Sequence, residues 1–160
     1  MAALLWRDRH TMGHFYYRGP LPNESKLYVG RQAELKQVTE LLSGPLRGYV
    51  TVVGANQVGK TSFLYRVQRQ LGTRCPSALV NLQMIPDATP SGLFSYIAGE
   101  MIKQLGLPGL ASSAAMVDSG PEFAHWLGDL PPTVARAAIL IDAIDTLPDK
   151  TAIYLANVLR

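Results

Sequence analysis

The feature that most restricts how this chain can fold is the segment at residues 54–61, which reads G-A-N-Q-V-G-K-T and matches the pattern G-x-x-x-x-G-K-[ST] at every position. It follows the run Y-V-T-V-V at residues 49–53, which predicts a strand buried on both faces of a parallel sheet. Apolar residues at positions 64, 67 and 71, with Gly72 as a stop signal, predict a helix after it. A strand, a glycine-rich turn and a helix in this order predict a phosphate-binding loop.

The predicted loop offers the donors that a nucleoside triphosphate needs. Its backbone N–H groups can turn toward phosphate oxygens, and the helix that opens at Lys60 adds the positive end of its dipole. Lys60 can reach the β- and γ-phosphates, the Thr61 hydroxyl can bind Mg²⁺, and Ser62 can add a donor. A chance glycine turn would not match the whole pattern in this context. The predicted nucleotide-binding residues of the segment are Gly54, Ala55, Asn56, Gln57, Val58, Gly59, Lys60, Thr61 and Ser62.

A carboxylate is predicted to complete the magnesium site. The apolar run at residues 137–141 predicts a strand, and Asp142 follows it at the edge where parallel sheets bind ligands. Because Mg²⁺ prefers oxygen ligands, we take Thr61 and Asp142 as the candidate metal ligands. The alternative is that Asp142 caps a helix, a role that Asp145 or Asp149 can also fill.

Hydrolysis requires a further group that orients the attacking water beside the γ-phosphate. The residue after Asp142 is Ala143, whose methyl group cannot do this. Asp145 is the nearest carboxylate, and we take it with Lys60 as the candidate catalytic residues. The alternative for Asp145 is a simple helix-start role. The sequence therefore predicts nucleotide binding and leaves turnover open.

The rest of the chain alternates helical and strand patterns. The predicted helices span residues 31–42, 93–105, 119–130 and 149–159, with Asp149 as a cap for the last, a further strand spans 78–82, and 109–119 is predicted to be a flexible loop. The alternation predicts an α/β fold, with helices on both faces of a mostly parallel sheet in three layers. Residues 1–26 lack either periodicity and predict an extended lead-in segment, which leaves 27–160 as the nucleotide-binding domain.

Composition and charge limit the classes of protein to which this chain can belong. The net charge of +3 comes from basic residues spread along the chain, so it gives only slight support for nucleic acid as a partner. The single cysteine, Cys75, excludes an internal disulfide and agrees with a cytoplasmic location. His10, His14 and His125 have no spacing typical of a metal site. No apolar stretch is long enough to span a bilayer, so we expect no membrane partner.

The order of these features resembles the AAA-like ATPases of the STAND and origin-recognition type. Residues 15–20, F-Y-Y-R-G-P, and 27–35, L-Y-V-G-R-Q-A-E-L, look like the segment that ends in that family's box F-V-G-R-x-x-E-L. Residues 54–61 fit its Walker A, and residues 139–148, I-L-I-D-A-I-D-T-L-P, resemble its Walker B pattern L-L-I-D-E-x-D-x-L-P, with Ala143 as the departure. The resemblance implies a P-loop NTPase fold and places the adenine beside four residues, namely Tyr28, Val29, Gly30 and Arg31. The guanine-reading patterns D-x-x-G and N-K-x-D are missing, so ATP is the expected nucleotide.

The resemblance also implies a strand between the phosphate-loop strand and the Walker B strand, and it comes after Walker B in sequence. No apolar strand follows the last predicted helix before Arg160. We therefore expect the chain to hold the N-terminal part of such a domain, with a sheet incomplete at the C-terminus. Unpaired edges and apolar faces would favour self-association or association with other domains of a longer chain.

Several functions stay open at this point. The resemblance favours a nucleotide-dependent switch or signalling module. The mild basic balance suits a DNA-associated ATPase of the loader or recombination type. Ala143 suits an ATP-binding module with little or no hydrolysis, and an interaction protein that needs no nucleotide is the remaining alternative.

Overall fold

The structure is a computed structural model, and it describes residues 19–21, 29–45, 48–134 and 136–159. Its helices are α1 (Gln32–Ser43), α2 (Lys60–Leu71), α3 (Pro90–Leu105), α4 (Ala111–Ala114), α5 (Gly120–Gly128) and α6 (Asp149–Val158), and its strands are β1 (Ser77–Asn81) and β2 (Ala138–Asp142). Short 3-10 helices span Leu82–Met84, Pro108–Leu110 and Ile144–Thr146. None of the described helices combines the length and the apolar character that a membrane crossing requires. The predicted α/β fold is confirmed.

The two strands form a parallel sheet in which Ser77 lies opposite Ala138 and Asn81 lies opposite Asp142. The Ala138 N–H donates to the Pro76 carbonyl at 2.8 Å, which begins the ladder. Because both strands run the same way, their carboxyl ends meet at one edge of the sheet. Asn81 and Asp142 are therefore neighbours at that edge.

Helices cover both faces of this sheet. On one face, which we call the α3 face, Phe94 of α3 and Phe123 of α5 are completely buried, with ring centroids 5.3 Å apart. On the opposite face, which we call the α2 face, Leu140 of β2 packs in one cluster with Phe63 and Val67 of α2. Burial of these side chains supplies the main favourable contribution to folding. The described part of the chain thus has three layers, with the two-stranded sheet between two layers of helices.

The prediction of a strand at residues 49–53 is wrong, because this segment forms no strand and is not buried on both faces. The side chains of Tyr49 and Val53 are 52% and 87% exposed, and only Val52 packs against the cluster on the α2 face. A β-branched run becomes a strand only where a neighbouring strand accepts and donates its backbone hydrogen bonds. In the described part of the chain, β1 and β2 pair with each other, and no strand pairs with 49–53.

Two smaller predictions also differ from the structure. The segment at 109–119 is not a plain loop, because it contains α4 and because two of its own residues, Ala114 and Val117, are buried. Asp149 does not cap α6, because it is the first helical residue and Pro148 occupies the N-cap position. Of the predicted lead-in at 1–26, only residues 19–21 belong to the described part, so the prediction for the remainder lies outside it.

The outer edge of β1 is closed by side chains of α3. The Gln104 amide accepts from the Leu79 N–H at 2.9 Å and donates to the Leu79 carbonyl at 2.8 Å. The Tyr96 hydroxyl donates to the Asn81 carbonyl at 3.2 Å. These side chains therefore occupy backbone groups that a third strand would otherwise use.

Candidate phosphate-binding site

The candidate loop is a tight turn that leads directly into α2. Gly59 is the N-cap of α2 and has a φ of 86°, and Gln57, two residues earlier, has a φ of 65°. A left-handed conformation is unfavourable for a residue with a Cβ, so Gln57 is held in it by the turn around it. Gly54 is required for space instead, since a Cβ there would lie 2.9 Å from Cγ2 of Val58.

The first turn of α2 has no side-chain cap. The N-cap residue Gly59 has no side chain that could accept from the backbone N–H groups of this turn, and no acidic residue lies in the first turn. The first four N–H groups of any helix lack partners within the helix, and here they lie beside the turn at 54–59. The start of α2 therefore combines donors that have no capping side chain among the described residues with the positive end of the helix dipole, which suits an anion.

Lys60 lies across this turn. Its ammonium group donates to the carbonyls of Gly54 at 2.9 Å and Ala55 at 3.1 Å. Among the described residues, no carboxylate forms an ion pair with it. The positive charge of Lys60 thus stands next to the loop without a compensating negative charge.

Thr61 and Asp142, the two candidate metal ligands, are in direct contact. The Thr61 hydroxyl donates to Oδ2 of Asp142 at 2.7 Å, although the residues are 81 positions apart in the chain. Asp142 is 9% exposed and ends β2. It does not cap the 3-10 helix that follows, because the N-cap there is Ala143. A hydroxyl and a carboxylate held together in this way are oxygen ligands suited to Mg²⁺.

The two side chains do not form a complete metal cage by themselves. Within the ranges that the structure describes, no group of three or more His, Cys, Asp or Glu side chains is placed to hold a metal ion. Mg²⁺ in nucleotide sites is typically held by one or two protein ligands together with phosphate oxygens and waters. The donor set at Thr61 and Asp142 fits that arrangement.

Among the described residues that are implied to neighbour adenine, Arg31 makes a hydrogen bond to the candidate loop. Arg31 is the N-cap of α1 with a φ of 55°, and its guanidinium donates to the Val58 carbonyl at 2.8 Å. Gly30 has a φ of 85°, and the Val29 side chain is 88% exposed. Tyr28 lies outside the described residues. The hydrogen bond from Arg31 thus joins the N-cap of α1 to the candidate loop.

Ser62 has a different environment from the rest of the predicted loop. It is 7% exposed, and its hydroxyl oxygen accepts from the Leu21 N–H at 2.8 Å. This contact joins residue 21 to the first turn of α2. Ser62 therefore anchors a preceding segment, which the sequence pattern did not indicate.

Asp145, the candidate catalytic carboxylate, follows Asp142 by three residues in the chain. It lies in the 3-10 helix Ile144–Thr146 and is exposed. No hydrogen bond or ion pair of the described residues joins it to Lys60, Thr61 or Asp142. Before it, Ala143 adopts a left-handed φ of 59°. Its carbonyl accepts from the Thr146 hydroxyl at 2.8 Å, which closes the turn.

Asn81 is a polar residue at the same edge that sequence reasoning missed. It is the last residue of β1 and lies opposite Asp142. The predicted strand at 78–82 placed it inside an apolar run, with no indication that the strand ends at it. The signal that could have found it is the single amide that follows the apolar residues of β1.

No match to a protein-family model, to a curated protein or to a solved structure was found for this chain. The geometry of the site therefore carries the functional argument.

Proposed function

We propose that this chain is an ATP-binding part of a P-loop NTPase of the AAA or STAND type, in which Mg²⁺-ATP acts as a switch ligand. The observation that carries the proposal is the 2.7 Å contact between the Thr61 hydroxyl and the Asp142 carboxylate. These residues come from two separate segments whose patterns each predict a metal ligand. Their contact beside the glycine-rich turn supports one common site.

Each described group has a definite role in this proposal. The backbone N–H groups at 54–61 and the start of α2 bind the phosphates, and Lys60 neutralises charge on the β- and γ-phosphates. Thr61 and Asp142 would hold Mg²⁺, which would supply further charge neutralisation on the phosphate oxygens. Arg31 holds the segment implied to contact adenine against the loop through the Val58 carbonyl.

The geometry favours binding over turnover. Ala143 offers no carboxylate, and Asp145 is exposed and makes no described contact with the Thr61–Asp142 pair. Orienting an attacking water requires a group within about 3 Å of it. We therefore propose that hydrolysis by this chain is slow or absent, and that the bound nucleotide itself biases the arrangement of the protein or its associations.

Calorimetric titration with ATP and Mg²⁺ tests the proposal. The wild-type chain should bind, and Lys60→Ala should weaken binding by at least about tenfold, because a cation beside the phosphates is removed. Lys36→Ala is the matched control, since Lys36 is an exposed lysine of α1 paired only with Glu40. A folded wild-type chain that binds no nucleotide, or equal affinities for wild type and Lys60→Ala, would refute the proposal.

The magnesium part of the site has its own test. Thr61→Val keeps the shape of the side chain and removes the hydroxyl, whereas Thr61→Ser keeps the hydroxyl. Wild type and Thr61→Ser should bind ATP more tightly with Mg²⁺ than with EDTA, and Thr61→Val should lose most of that difference. An undiminished Mg²⁺ effect in Thr61→Val would remove Thr61 from the metal site.

A further inference from the structure

The side chain of Asn81 lies next to that of Asp142 on one face of the sheet. The two residues are opposite each other in the parallel pair, and neighbouring strands are about 4.8 Å apart. Leu79 and Leu140 are the opposite pair two residues earlier, and both belong to the cluster on the α2 face. Because side chains alternate along a strand, Asn81 and Asp142 point to that same face, where Thr61 contacts Asp142.

Hydrogen bonds hold Asn81 in a defined orientation. Its Oδ1 accepts from the Gln83 N–H at 2.9 Å, and its carbonyl accepts from the Tyr96 hydroxyl at 3.2 Å. A backbone N–H can only donate, so the side-chain atom that faces Gln83 is the oxygen. The other end of the amide is therefore Nδ2, and no described residue accepts a hydrogen bond from it.

We infer that Asn81 Nδ2 donates a hydrogen bond to the γ-phosphate of ATP bound at residues 54–61. This inference rests on the proposed function. A carboxamide nitrogen cannot ligate Mg²⁺, because it has no free lone pair, but it is a good donor to an anionic oxygen. In the proposed site Thr61 and Asp142 would hold Mg²⁺ beside the phosphates, and Asn81, which lies opposite Asp142, is the adjacent donor that would reach the terminal phosphate. Asn81 thereby distinguishes ATP from ADP.

Two substitutions at residue 81 separate this contact from a structural role. Asn81→Asp keeps the size of the side chain and the oxygen that accepts from Gln83, and it replaces the NH₂ donor with a second oxygen. Asn81→Ala removes the donor and the acceptor together. Gln83→Ala is the matched control, because only the backbone of Gln83 contacts Asn81.

The measurement is the affinity for ATP and for ADP, each with Mg²⁺, in the four proteins. Asn81→Ala should lower the ATP affinity by about tenfold, and Asn81→Asp by more, since it adds a negative charge near the γ-phosphate. The ADP affinity of both variants should change by less than about threefold, and Gln83→Ala should resemble wild type for both nucleotides.

The outcomes distinguish the inference from the proposal on which it rests. Unchanged ATP affinity in both Asn81 variants overturns the inference and leaves nucleotide binding intact. Equal losses for ATP and ADP in folded variants also overturn it, because they indicate general damage to the loop. If the wild-type chain binds neither nucleotide, the proposed function fails and the role of Asn81 fails with it.

Discussion

The first turns of α2 and α3 differ in whether a side chain accepts a hydrogen bond from their backbone N–H groups. At α3, the N-cap Thr89 is extended and its hydroxyl accepts from the Gly92 N–H at 3.2 Å, with Pro90 at the first helical position. At α2, the N-cap Gly59 is left-handed, and neither a capping side chain nor an acidic residue is present in the first turn. The chain thus supplies its own acceptor at one helix and none at the other.

This difference shows what each helix start contributes. A capped first turn satisfies donors within the chain and stabilises the helix by about 1 kcal/mol, so α3 can begin a core helix without a ligand. An uncapped turn beside Lys60 keeps its donors available to an external anion. Apolar side chains beside the loop are also left outside the core, since Val53 is 87% exposed and Val58 is 40% exposed.

Gly59→Ala should have the largest effect on this comparison. The φ of 86° places an added Cβ in the left-handed region, although nothing lies within 4 Å of it. Stability should therefore fall by about 1–2 kcal/mol from backbone strain alone, and ATP affinity should fall with the altered loop. Chemical denaturation and calorimetry measure the two effects. Gly109→Ala is the control, because its Cβ also meets open space and its φ is not positive.

Thr89→Ala should have a smaller effect that is confined to stability. It removes the cap of α3 and should lower the free energy of unfolding by about 1 kcal/mol, with the affinity for ATP unchanged. Ser91→Ala is the matched control, since the Ser91 side chain caps nothing. A loss of ATP affinity in Thr89→Ala without unfolding would show that the two helix starts are not independent.

Asp87→Ala should have the smallest effect, and it should depend on pH. The N–H and hydroxyl of Thr89 donate to the Asp87 carboxylate and hold the pKa of Asp87 below its usual range. A lowered folded-state pKa means that this group stabilises the protein when it is ionised. The stability difference between wild type and Asp87→Ala should be fully present at pH 7, and it should begin to shrink as the pH falls below about 4, toward the lowered pKa of the folded state. Denaturation at pH 7, 5 and 3 measures it. A difference that stays constant over this range would contradict the role of the charge.

Local patterns were sufficient to predict the longer helices but not the four-residue helix α4, because helical periodicity becomes visible only over several turns of neighbouring residues. The apolar spacing of α3 and its stop at Gly106, which has a φ of 69°, are examples. Strand formation at 49–53 was not predictable in the same way, since a run of β-branched residues does not say whether a partner strand exists. The predicted bounds of the two strands, 78–82 and 137–141, differ from the observed bounds by one residue at each end.

The site could be predicted where its residues follow one pattern or one general rule. The turn at 54–61 is contiguous, and Asp142 could be found because ligands bind at the carboxyl ends of strands in open parallel sheets. The contact of Arg31 with Val58 depends on a tertiary approach that no local pattern encodes. The neighbourhood of Asn81 depends on strand register, which composition and periodicity leave undetermined.

The closed edge of β1 makes growth of this sheet one-sided. Because the Ala138 N–H faces β1, the alternating residues Ile139 and Ile141 direct their backbone groups away from it. Any added strand must lie along β2, since Gln104 already holds the backbone of Leu79. In the described part of the chain, two copies that pair edge to edge through β2 leave no further open edge, so such pairing ends at a dimer and does not continue into a fibre.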